Sequence, residues 1–198
     1  MKNENLLASI SLFAELCNNK KDIRTVLNEF IKSVFSLEKI TSADSNKVHN
    51  LLSEHFGFEI PEAVIKSSLN SLKSQGLFTK IGGQYHYQGN FDNGSEIRNG
   101  VDKKLHEQSK IEKELLDYIR LKKKIELSDK DKITIFSCLS SYLLDSKITD
   151  DYSSIISQFV IERSSELDFI AALDSIREGV ILYQGIVYSS DLNELDKW

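Results

Sequence analysis

Apolar residues recur along this chain at spacings of three and four, the period of a helix with one buried face. In residues 4–17, Leu6, Ile10, Phe13, Leu16 and Cys17 share a face, and Asn18-Asn19 ends the run. Ile23, Val26, Leu27, Phe30, Ile31, Val34 and Phe35 repeat the pattern more cleanly, with charged residues between them. After the short segment Lys39-Ile40-Thr41-Ser42, either Asp44 or Ser45 can cap a third helix. That helix carries Val48, Leu51, Leu52 and Phe56, and Gly57 stops it. Pro61 opens a fourth, where its missing N–H costs nothing; Val64, Ile65, Leu69 and Leu72 form its buried side, and Gly76 ends it. The period then changes. Leu77 to Ile81 and Gln84 to Tyr87 are β-prone runs around Gly82-Gly83, which predicts a hairpin.

Residues 88–103 hold Gly89, Asn90, Asn93, Gly94, Asn99 and Gly100 and little that is apolar, the pattern of a linker. Helical spacing resumes with Leu105, Ile111, Leu115, Tyr118 and Ile119, ending in Lys122-Lys123-Lys124. Ser128 with Asp131 forms a capping-box pattern before Ile133, Phe136, Leu139 and Leu143. A further helix carries Tyr152, Ile155, Ile156, Phe159 and Val160, with Thr149 or Asp150 as its cap. The last runs from Ser165 through Phe169, Ile170, Leu173 and Ile176 to a stop at Gly179. Residues 180–188 read as an extended apolar tail: seven of nine are apolar, with only Gln184 and Gly185 between. Such a segment is costly to leave in water, so it is expected at an interface, together with the exposed-looking Trp198. The expected division is a domain over 1–88, a linker over 89–103, and an α-helical domain with its tail over 104–198.

Helix, short strand, helix, helix and hairpin, at tight spacing over residues 22–87, resembles the bacterial winged helix-turn-helix superfamily. The stretch KVHNLLSEHFGFEIPEAVIKSSLNSLKSQGLFTKIGGQYHY carries the resemblance, above all its passage through Gly76-Leu77-Phe78 into a glycine-turned hairpin. The fold class implied is mainly α, with a small β-hairpin wing, followed by the α-helical domain. In winged-helix DNA binders the helix after the turn enters the major groove and the wing touches the backbone or minor groove. Carried onto this chain, the contact residues are Lys66, Ser67, Asn70, Ser71, Lys73 and Ser74 on the fourth helix, with Lys80, Gln84 and His86 on the hairpin. Asparagine can bond adenine, lysine guanine or phosphate, and serine either base or backbone.

Charge narrows the reading. The chain is acidic overall, at −5 with a pI near 5.5, so it is not a non-specific nucleic-acid binder by bulk charge. Residues 1–100 balance eleven basic against eleven acidic side chains, whereas Ile60 to Tyr87 hold three lysines and one glutamate. Residues 101–198 carry nineteen acidic and fourteen basic side chains, which disfavours phosphate. DNA contact is therefore expected from the fourth helix and the hairpin, and protein contact or self-association from the helical half and residues 180–188.

Other chemistry is sparse. Cys17 and Cys138 lie far apart and suit small buried hydrophobes in a reducing compartment. His49, His55, His86 and His106 have no zinc-site spacing, and Asp129, Asp131, Asp150 and Asp151 fall at helix starts, where the dipole favours carboxylates. There is no glycine-rich phosphate loop and no nucleophile elbow. The expectation is no enzyme, no metal and no cofactor. No apolar run nears the ~20 residues of a membrane span, and the N-terminus lacks a signal-peptide core, so a cytoplasmic protein is expected. The last segment, SIREGVILYQGIVYSSDLNELDKW, resembles the passage that precedes a PIN-like nuclease domain in large bacterial proteins. In size and charge sign the chain is similar to winged-helix subunits that partner SMC-type ATPases. The functional expectation is a DNA-binding or recruitment module in a bacterial transcriptional or anti-invader context. The alternatives are a protein-interaction subunit without DNA contact, or the N-terminal part of a longer nuclease.

Overall fold

A computed structural model describes residues 4–19, 21–91, 94–143 and 152–189. The protein is mainly helical, with a small three-stranded antiparallel sheet. It divides into two compact units: the described residues up to 105 together with 178–189, and residues 106–177. No helix among the described residues is long and apolar enough to cross a membrane.

The first unit contains α1 (Glu4–Asn18), α2 (Ile23–Glu38), β1 (Ser42–Ala43), α3 (Ser45–Phe56), α4 (Glu62–Ser74), β2 (Phe78–Ile81) and β3 (Gln84–Tyr87). It also takes the start of α5 (Gly94–Lys123) and the end of α8 (Leu167–Tyr188). Helix ends follow local chemistry. Asp22 caps α2 by accepting the Thr25 N–H at 2.8 Å, and Asp44 caps α3 through Lys47 at the same distance. Ser45, the other candidate cap, instead donates its hydroxyl to Glu62 at 2.7 Å. Gly57 closes α3 at φ 72°, a left-handed conformation that costs glycine little. Gly82 and Gly83, at φ 55° and 86°, make the tight turn between β2 and β3. The strand order is β1-β3-β2, with Ala43 and Lys80 both opposite Tyr85 and Phe78 opposite Tyr87.

Aromatic rings fill the centre. Phe30 lies 4.9 Å from Phe56, 5.1 Å from Phe58 and 5.7 Å from Phe13 between ring centroids. Phe35 meets Phe78 edge-on at 4.9 Å, which ties α2 to the sheet. α1 departs from its expected amphipathic form. Residues 8–14 are all buried, Ser9 and Ser11 included, so the middle of this helix has no solvent face.

Two expectations are corrected here, for one physical reason. Residues 94–103, expected within a linker, form the start of α5, and Ile97 and Val101 join the core. Residues 180–188, expected as an extended tail, are the final turns of α8, which does not stop at Gly179. In both places glycine serves close packing on α1. A Cβ on Gly100 would lie 2.9 Å from Leu12 Cδ2, and one on Gly179 would collide with the Ile10 carbonyl. The apolar residues of 180–188 find most of their cover in their own unit: Ile186 is buried and Val180, Leu182 and Tyr183 pack on the core. Ile181 and Tyr188 stay exposed.

The second unit holds the rest of α5, α6 (Asp129–Leu143), α7 (Ser153–Glu162) and α8 up to Arg177. Ser128 and Asp131 form the expected reciprocal cap: the Ser128 N–H donates to Asp131 at 2.9 Å, and the Asp131 N–H to Ser128 Oγ at 3.3 Å. Phe159 packs against Tyr118 and Phe169, while Arg163 pairs with Glu114 and Glu166 and covers the Phe169 ring. The candidate caps Thr149 and Asp150, and Trp198, lie outside the described residues.

The two glycines predict opposite outcomes. At Gly179 the obstacle is backbone, so Gly179→Ala forces α1 and α8 apart. Overpacking of this kind costs about 1–3 kcal/mol, against about 1 kcal/mol gained in helix propensity. Its urea midpoint should fall. Gly100→Ala meets only the end of a leucine side chain, which can turn aside, so its midpoint should hold or rise. An unchanged midpoint for Gly179→Ala would contradict this packing.

Candidate nucleic-acid interface

α4 buries Val64, Ile65, Ser68, Leu69 and Leu72. Lys66, Asn70 and Lys73 are exposed and stand at i, i+4 and i+7, one continuous strip on a helix of 3.6 residues per turn. Ser74 is exposed beside them, and Ser67 and Ser71 are half-buried on the flank. The strip is not uniformly available. Lys66 Nζ lies 3.0 Å from Glu62 Oε1, the same oxygen that accepts from Ser45. The Ser74 hydroxyl donates to the Ser71 carbonyl at 2.6 Å, inside its own helix. Asn70 Oδ1 accepts a hydrogen bond from the Tyr85 hydroxyl at 2.9 Å.

The hairpin residues part company. Side chains alternate across a strand, so Phe78, Lys80, Tyr85 and Tyr87 share the face that carries the core, while Gln84 and His86 point to the other face. His86 stands opposite Ser42 and Thr79 there. Lys80 is linked to α4 through Tyr85. Its Nζ donates to the Tyr85 hydroxyl at 3.0 Å and lies 4.6 Å from the centre of the Tyr85 ring. Lys66, Asn70, Lys73 and Lys80 thus belong to one surface, and Gln84 and His86 do not.

Tyr85, only 2% exposed, is the residue that sequence reading passed over. The signal was present: a two-residue turn at Gly82-Gly83 sets residue 80 directly opposite residue 85. An aromatic ring beside a lysine at that register was legible as a pair.

No family model, curated protein or solved structure matches this chain.

Several other polar groups make contacts within the fold. His49 Nδ1 donates to the Ile60 carbonyl at 2.9 Å, and His55 Nε2 sits 2.7 Å from Glu38. Each fixes a neighbouring segment to α3. Lys122 lies over the Tyr118 ring and 3.5 Å from Glu162, and Lys123 lies 4.3 Å from the centre of the Tyr152 ring. Burial, with Glu178 and Asp22 nearby, pushes the Cys17 thiol up to about 12, far from a reactive thiolate. A cavity of about 410 Å³ opens beside Lys32, Ser36, Tyr87, Asn90 and Glu96. Lys21 at its edge is held by Glu29 at 3.0 Å.

The Glu62 carboxyl is held below its usual range, first by the Ser45 hydroxyl and then by Lys66. Charged Glu62 is thereby favoured in the folded chain. The stabilisation is present above the carboxylate's unfolded pKa and is lost as pH falls through the lowered value. Ser45→Ala should move the Glu62 titration upward, read from its side-chain carboxyl carbon by NMR. A titration that stays in place would show that Lys66 alone sets the value.

Proposed function

We propose that this chain binds duplex DNA as a winged-helix module, with α4 in the major groove and the β2–β3 hairpin beside it. The element order α2-β1-α3-α4-β2-β3 and the strand order β1-β3-β2 support the winged-helix reading. The observation that carries the DNA reading is the strip on α4. Lys66, Asn70 and Lys73 stand along one exposed line, Lys80 joins them from β2, and Glu62 is the only carboxylate on the helix.

The chemistry follows from that line. Lys66 and Lys73 present ammonium groups to phosphates, which sets register and most of the affinity, while Asn70 at the centre, with Lys80 beside it, faces the bases. At 13 residues α4 is about 20 Å long, enough to lie within the groove. The Lys66–Glu62 pair is solvent-exposed and therefore weak, so a phosphate can displace the carboxylate. The short serine side chains at 67, 71 and 74 allow close seating. Recruitment of a larger bacterial assembly to DNA is the role that fits such a module.

A second reading has its own observation. Leu121, Ile161 and Leu167, all in residues 106–177, are 78%, 66% and 84% exposed. Large apolar side chains left in water favour contact with a protein partner through that unit, with or without DNA.

Replacing Lys66 and Lys73 together by glutamate should remove binding to a random-sequence duplex at physiological salt. The circular dichroism spectrum should stay the same, because both side chains are exposed. The milder Lys66→Ala/Lys73→Ala variant should still bind at low salt, with the slope of log affinity against log salt reduced by about 2. Wild-type affinity in the double glutamate variant would exclude α4 as the contact.

A further inference from the structure

Asn70 and Lys80 touch the same buried hydroxyl, and hydrogen-bond bookkeeping at that hydroxyl fixes what each can offer to a ligand. A lysine ammonium has three N–H donors and no acceptor. Lys80 Nζ, 3.0 Å from the Tyr85 hydroxyl, must therefore donate, and the tyrosine oxygen must accept. The tyrosine has one proton left to give, and Asn70 stands 2.9 Å away on the other side. That proton needs an acceptor, so the amide oxygen of Asn70 faces inward. Turning the amide round would leave Tyr85 accepting twice while its own proton had no partner in a nearly buried residue. The orientation leaves Asn70 Nδ2, with both of its N–H bonds, facing solvent.

We infer that Tyr85 is a positioning residue that locks Asn70 as a hydrogen-bond donor, so the centre of the α4 strip contacts acceptor atoms and discriminates against adenine. This rests on the DNA-binding reading. Asparagine selects adenine by donating to N7 while its oxygen accepts from the N6 amino group. The Asn70 oxygen is turned inward onto the nearly buried Tyr85, so it does not lie beside Nδ2 on the surface that would meet the adenine edge. What remains is an amide donor beside the ammonium of Lys80, two donors tied through one hydroxyl. Guanine presents two acceptors side by side, N7 and O6, and the phosphate backbone also presents only acceptors. The adenine edge, with its N6 amino donor, puts a donor against a donor. Lys66 and Lys73, one turn to either side of Asn70, are donors as well, so the strip offers acceptor atoms a consistent partner along its length.

The test uses the full chain and a pool of random-sequence 20-base-pair duplexes, with bound and unbound fractions sequenced for wild type and for Tyr85→Phe. The substitution keeps the ring and removes only the hydroxyl, which frees the Asn70 amide to turn. Wild type should disfavour adenine at one position by about tenfold relative to guanine, and Tyr85→Phe should bring that ratio close to one. A structural role for Tyr85 would lower affinity without changing the base ratio. A uniform loss of affinity in Tyr85→Phe, restored for no base, combined with a reduced salt slope, would place the acceptor on the phosphate instead of the guanine edge. Wild type and variant with the same affinity and the same base preference overturn the inference while leaving DNA binding intact. Should wild type retain no duplex at all, the DNA-binding reading itself fails. Asn70→Ala, at an exposed position, provides the second variant. It should lose the adenine discrimination even if Tyr85→Phe proves too unstable to assay, and retained discrimination in Asn70→Ala overturns the inference.

Discussion

Seven consecutive residues of α1, Ala8 to Ala14, are buried, and the packing of the first unit follows from how that is achieved. A helix buried on every side needs neighbours on every side. α2 supplies one through Phe30 against Phe13, α5 another with Gly100 on Leu12, and α8 a third with Gly179 on the Ile10 backbone. The residues of α1 are correspondingly small, with Ala8, Ser9, Ser11 and Ala14 around the larger Ile10, Leu12 and Phe13. Close approach of backbones takes the place of side-chain volume, and only glycine on the α8 side permits it.

That arrangement reaches the candidate interface through aromatic contacts. Phe30 holds Phe56 and Phe58, which fix the end of α3 and the connection into α4. Tyr183 of α8 stacks on Phe58 at 5.4 Å, and its hydroxyl accepts the Glu59 N–H at 2.7 Å. The connection 57–61 is thus gripped from both sides, and Pro61 begins α4 from a fixed point. On the other flank, Phe35, Phe78 and Tyr87 join α2 to the sheet. α4 and the hairpin are each set by the core, and Tyr85 links them to one another. The polar strip is presented by elements whose inner faces leave them little freedom.

The sequence was most readable where one face is buried and the other wet. α2, α3 and α4 show the full helical period, and Gly57, Gly76 and Gly82-Gly83 mark turns because each has positive φ. It misled where that premise breaks down. α1 hides serines that look solvent-facing. Gly100 and Gly179 look like breakers but are helical contact points, so α5 began too late and α8 ended too early. Glycine answers two needs, a left-handed backbone and the absence of a Cβ, and the spacing of apolar residues does not separate them. At the interface, periodicity placed Lys66, Asn70 and Lys73 on one line. It could not sort Lys80 from Gln84 and His86 without the strand register, nor show that Asn70 had given its oxygen to Tyr85.

If α4 and the β2–β3 hairpin, and not residues 106–177, meet DNA, the contact is confined to one part of the chain. Backbone amide chemical shifts of the full chain, followed while a random-sequence duplex is added, test it directly. The largest changes should fall on Lys66 to Ser74 and Thr79 to Tyr85, with residues 106–177 unmoved. Changes concentrated in residues 106–177, or a spectrum indifferent to DNA at low salt, would contradict it.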